Sequence, residues 1–180
     1  IAAVLRMPDI LGTAKSELTE KEWSFLQGLL DEALGQFSEF RAQEGASIAE
    51  DFNVRLNAIE AALTGIAPLE QARLEAVREK LLNGLEGIEV DQNRYEQEVI
   101  FYIEKLDVNE EKVRLTNHLK YFRETINVPA SGKKLGFIAQ EMGREINTLG
   151  SKSNYAPMQH FVVEMKDELE KIKEQIGNTL

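Results

Sequence analysis

GKKLGFIAQEMGREINTLGSKS, Gly132 to Ser153, decides the fold. Leu135, Ile138, Met142, Ile146 and Leu149 recur at the spacing of one helix face. Gly132 and Lys133 open that helix, and Gly150 is expected to close it. Phe137, Glu141, Arg144, Glu145 and Thr148 form a second stripe on the flank of the apolar face. A plain amphipathic helix does not need that second stripe.

Just upstream, Asn109–Ile126 carries its own apolar face in Val108, Leu115, Leu119, Phe122 and Ile126. At about 100° per residue, Asp107, Glu111, Arg114 and His118 run beside it. The short loop NVPASG makes the two helices an antiparallel pair. The polar stripes have the same handed offset, so they meet on one side of the hairpin. Pairing outward from the loop sets His118 level with Met142, between Glu141 and Glu145. Arg114 then falls near Glu145, and Glu111 near Thr148. The expectation is one polar furrow of His118, Glu141, Glu145, Arg114 and Glu111. An imidazole facing carboxylates one turn apart suits a hard divalent cation, Mn²⁺ or Mg²⁺. Such an ion activates water or offsets charge on a phosphodiester. Two other readings fit the same residues: ion pairs of Arg114 with Glu145 and Arg144 with Glu141 that fix register, or a protein interface.

The rest of the chain also reads as helix. Thr19 and Glu22 form a capping box. From there one stripe runs through Leu26, Leu30, Ala33, Phe37 and Phe40, and resumes at Ile48, Phe52, Leu56, Ile59 and Leu63. With no proline before Pro68, this predicts one helix of about 45 residues, about 70 Å long. Trp23 and Phe25 read as packing residues. Gly65 and Pro68 mark a turn or kink, after which Leu74, Val77, Leu81 and Leu85 face inward on a helix returning along the arm. Helices are further expected over Asp91–Lys105 and from Pro157 to Gln175. No sustained alternation suggests a strand. The predicted fold is therefore all-α: a long antiparallel helical arm in residues 1–88 and a C-terminal helical bundle in 89–180.

Composition narrows the function. The net charge of −10 on 180 residues excludes a broad basic surface. There are no cysteines, hence no disulfide and no thiolate metal site. No uncharged apolar run is long enough to span a bilayer. Gly150-Ser-Lys-Ser153 lacks the earlier glycine of a Walker loop, so an NTPase is rejected. His160 stands alone and reads as a surface or packed histidine. No Ser/His/Asp or Cys/His nucleophile set follows from the spacing.

Gly132-Lys-Lys-Leu-x-Phe137, Gln140-Glu141-Met142-x-Arg144-Glu145-x-Asn147-Thr148 and Gly150-Ser-Lys-Ser153 resemble the signature of the YicC family. The resemblance extends to Gln97-Glu98, Lys105-x-Asp107-x-x-Glu110-Glu111, Arg114-Leu115, His118, Arg41-x-x-Glu44-Gly45 and Leu5-x-x-Pro8. It implies a cytoplasmic bacterial endoribonuclease that cuts single-stranded RNA with a divalent metal, Mn²⁺ in particular, and assembles as a hexamer with long helical arms. Lys133, Lys134, Arg144 and Lys152 are then the cations offered to RNA. A non-catalytic scaffold that presents RNA to another nuclease is the alternative. The family's opening motif is not seen and the chain starts without Met, so a fragment lacking the N-terminal domain is expected. Gly136, Gly143 and Tyr155 depart from the residues usual in the family, Gly136 replacing an acid.

Overall fold

The computed structural model describes residues 18–84 and 91–177. They form six helices: α1 Glu20–Ile66, α2 Leu69–Asn83, α3 Gln92–Lys105, α4 Asn109–Ile126, α5 Gly132–Lys152 and α6 Ala156–Ile176. Among the described residues there is no strand, and the all-α expectation holds. The apolar segment before Gly12, and the expected inward residue Leu85, lie outside the described residues.

The chain divides into two compact units, Ile1–Glu44 and Gly45–Leu180. In the first, the capping box forms as expected. The Thr19 amide donates to Glu22 Oε2 at 2.9 Å and the Glu22 amide to Thr19 Oγ1 at 3.3 Å. These bonds hold the Glu22 carboxyl below its ordinary range, the backbone bond from Thr19 contributing most. The helical residues that follow bury nothing. Trp23 is 57% exposed and Phe25 70%, and Leu26, Leu30, Phe37 and Phe40 are exposed too. Trp23 and Phe25, read as packing residues, are covered by no other described segment of this chain.

The second unit holds the core. Ile48, Phe52, Leu56, Ile59 and Leu63 of α1 are buried, so the stripe read from the sequence changes from open to covered along one helix. Phe52 meets Phe122 of α4 edge to face, ring centroids 5.4 Å apart. Leu135, Ile138, Met142, Ile146 and Leu149 of α5 are buried, as are Met158, Val162, Met165, Leu169 and Ile172 of α6. A polar rim joins α1 to α6: Arg55 reaches Asp51 at 3.0 Å and Glu168 at 3.2 Å. Hydrogen bonds to Asp51 and Glu168 raise the Arg55 pKa, and those to Asp167 and Glu168 raise that of Lys171.

Two glycines, Gly65 read as part of a turn or kink and Gly150 read as a helix end, also have a packing role. Gly65 lies inside α1, and a Cβ there would stand 2.7 Å from the Phe161 ring. Gly150 lies inside α5, where a Cβ would meet Val162 Cγ1 at 2.9 Å. Both let helices approach α6 closely, and α5 runs on to Lys152. α2 belongs to the second unit, because Arg73 is buried and binds carbonyls at the ends of α3 and α5. The boundary between the two compact units falls at residue 44, inside α1.

Candidate functional site

α4 and α5 form the antiparallel pair expected of them. Their loop turns through Ala130, which adopts a left-handed φ of 54°. The apolar seam of the pair feeds the core, and polar residues line its flank.

Arg114 Nη1 stands 4.0 Å from Glu145 Oε1 and also bonds Glu110 one turn away. The Arg114–Glu145 pairing is the one read from the sequence. Glu145 is 9% exposed, so its carboxylate sits in the seam while Arg114 faces water. Glu111 is also buried, at 4% exposure. Its partner is Lys152 Nζ at 2.7 Å, one turn beyond the expected Thr148. Helical side chains lean toward the N-terminus, so the long lysine covers the surface level with Thr148. The Thr148 hydroxyl instead donates to the Arg144 carbonyl of its own helix.

The three residues offered to a metal are not gathered as expected. Glu141 is bonded at 2.7 Å by Arg144, three residues on along the same helix, and both are exposed or half-exposed. Glu145 is held toward Arg114, and His118 is half-buried on α4. Among the described residues no three His, Cys, Asp or Glu side chains cluster closely enough to hold a metal ion. The donor set in this conformation does not fit a three-ligand centre, because arginines occupy both carboxylates.

The cations offered to RNA separate into two kinds. Lys133, Lys134 and Arg144 are exposed, with Lys134 Nζ 4.7 Å from the centre of the Tyr121 ring. Lys152 is turned inward to Glu111, and its carbonyl accepts a 3.4 Å bond from Arg73. It is therefore no free surface charge. Arg73 itself is absent from the sequence reading. It is 4% exposed, and Nη2 donates to the Leu106 carbonyl at 2.8 Å. Burial lowers its pKa, with Glu70 and Asp107 acting in the opposite sense. The signal was an arginine beside the apolar stripe of α2.

A family model described as "Endoribonuclease YicC-like, C-terminal" matches residues 66–179, the stretch that carries α2 to α6 and the whole furrow. The chain belongs to the YicC-like family. A second model, "Endoribonuclease YicC-like, N-terminal region", matches residues 1–50. That corrects the expectation that the family's N-terminal part is missing, since residues before α2 carry its pattern without the opening motif. The chain is similar to a protein of Clostridioides difficile strain 630 named "Probable endoribonuclease YicC", 38% identical over 182 residues, 97% of this chain. A Haemophilus influenzae protein of the same name is 35% identical over 181 residues. The chain spans 62% of the length of each of these relatives. No helix among the described residues is long and apolar enough to cross a membrane.

Proposed function

We propose that the protein is an endoribonuclease acting on single-stranded RNA. The observation that carries this reading is 38% identity across 97% of the chain to a relative named for that activity. The furrow supplies residues suited to it. His118, one turn from Arg114 on α4, takes the proton of the water that attacks phosphorus; as the P–O bond to the departing ribose oxygen breaks, that oxygen takes a proton from solvent. Arg114 opposes the charge that builds on the phosphoryl oxygens. Glu145 positions Arg114, Glu111 holds the inward-turned Lys152, and the exposed Lys133, Lys134 and Arg144, the last held by Glu141, offer charge to the RNA. A dependence on Mn²⁺, with Mg²⁺ as the second choice, belongs to the proposal as a property of the full-length protein. No step is assigned to the ion.

The reading extends to assembly in the cytoplasm as a homo-oligomer, six copies by resemblance. Its support is the exposed stripe Leu26, Leu30, Phe37 and Phe40, which a helix in water does not keep uncovered. The test is cleavage of single-stranded RNA by the full-length protein, with and without Mn²⁺, for the native chain, His118→Ala and Glu145→Ala. Loss of cleavage in both variants is expected. Undiminished cleavage in both removes these residues from the reaction.

One observation favours a second reading. Both buried carboxylates, Glu111 and Glu145, already have cationic partners. Ion pairs of that kind fix helix register in a scaffold that holds RNA for another nuclease. RNA binding by the pure protein with no cleavage under any metal would select it.

A further inference from the structure

A second candidate site lies away from the furrow. α2, α3 and the α5–α6 turn line an open cleft of about 830 Å³, within the size range of small-molecule sites. Arg73 forms part of its wall. Its two Nη atoms donate to the carbonyls of Leu106 and Lys152, while Nε is buried with no hydrogen-bond partner. Its hydrogen bonds go to neutral carbonyls, and Glu70 and Asp107 offset part of its desolvated charge from a distance. The unpartnered Nε and the remaining desolvation favour an anion on this wall.

Lys80 and Arg94 add two more cations to the lining, and Tyr95, Tyr102 and Tyr155 add aromatic rings. Asp91 and Glu98 also line it. Asp91 Oδ1 is committed to capping α3, accepting from the amides of Asn93 and Arg94. Glu98 is left to accept from hydroxyl or amino groups of a ligand. Guanidinium forks recognise phosphate, and tyrosine faces stack on nucleobases irrespective of their sequence.

We propose that this cleft binds one nucleotide unit, its phosphate toward Arg73, Lys80 and Arg94 and its base against the tyrosines. The source is either a nucleotide of a bound RNA strand or a free nucleoside monophosphate. The inference rests on the RNA reading only for the first source, and it does not involve the furrow.

The full chain is titrated calorimetrically with adenosine 5′-monophosphate, adenosine, inorganic phosphate and a short oligouridylate. The monophosphate is expected to bind about tenfold more tightly than adenosine or phosphate. Arg94→Gln and Tyr95→Leu are each expected to weaken it about tenfold, with circular dichroism confirming the fold. Arg73→Gln should do the same. If that buried change unfolds the chain, the Arg94 and Tyr95 variants carry the test. An oligouridylate that displaces the monophosphate identifies the RNA source; one that does not identifies the free nucleotide. Monophosphate binding no tighter than phosphate alone, or unchanged in both the Arg94 and Tyr95 variants, overturns the proposal. Cleavage of RNA with no nucleotide in the cleft would sink this inference alone. Nucleotide binding without cleavage would sink only the nuclease reading.

Discussion

Lys152 Nζ sits 2.7 Å from Glu111 Oε1, and only 5% of the Glu111 side chain reaches solvent. The other carboxylate oxygen of Glu111 is buried without a hydrogen-bond partner. The lysine is thus the main compensation for a charge removed from water. Lys152→Met should lower unfolding free energy by about 3–5 kcal/mol, as for other broken buried pairs. The double variant Glu111→Leu with Lys152→Met should regain most of that loss. Urea denaturation of the four proteins of this cycle checks it. A Lys152→Met cost below about 1 kcal/mol would mean that water reaches the pair.

Acid should act locally at the start of α1. Thr19 holds the Glu22 carboxyl below its ordinary value of 4.5. A depressed carboxyl stabilises the helix start in full above that ordinary value. The contribution fades as pH falls through the lower folded value. The Thr19 and Glu22 amide resonances, followed by NMR from pH 6 to about pH 2, should move with a midpoint below 4.5. Glu22→Gln should abolish that titration. A midpoint at or above 4.5 contradicts the capping geometry.

Glycine substitutions should differ in sign by position. Gly65→Ala drives a methyl against the Phe161 ring, 2.7 Å away, and should cost about 1–3 kcal/mol. Gly136 is open, its nearest neighbour being Ile176 Cγ2 at 4.0 Å. Gly136→Ala should therefore stabilise α5 by about 0.5–1 kcal/mol. Thermal denaturation distinguishes the two directions.

The open stripe of the first unit predicts an effect on assembly and little on folding of the core. Leu30 is 58% exposed and Phe37 56%. Leu30→Asp or Phe37→Asp should shift sedimentation velocity toward smaller species. The urea midpoint should stay within about 0.5 kcal/mol equivalent, as for other exposed positions. An unchanged sedimentation profile for both removes the stripe from the oligomer contact.

The sequence revealed what depends on period and short range. The buried residues of α4 and α5, the capping box at Thr19 and the Arg114–Glu145 pairing all follow from helix geometry and a short loop. Other features depended on partners far away in the chain. Gly65 and Gly150 look like helix breakers until Phe161 and Val162 are seen against them. Lys152 looks like a surface cation until its backward lean onto Glu111 is known. Arg114 and Arg144, read from the sequence beside the acids, pair with Glu145 and Glu141, an arrangement that spacing alone left open beside the metal reading. Arg73 was hidden for the same reason: its partners are two helix ends more than thirty residues away.

Arg73 spans those two ends with one flat group, and its shape has a consequence. Leu106 caps α3, and Lys152 is the last residue of α5. Their carbonyls belong to helix termini that carry partial negative charge. A guanidinium offers several N–H groups at fixed angles, while an ammonium is a compact point. Lysine at position 73 would reach one tail and abandon the other. The position thus tolerates no conservative exchange, and a change of a few atoms there would unfasten two distant turns at once.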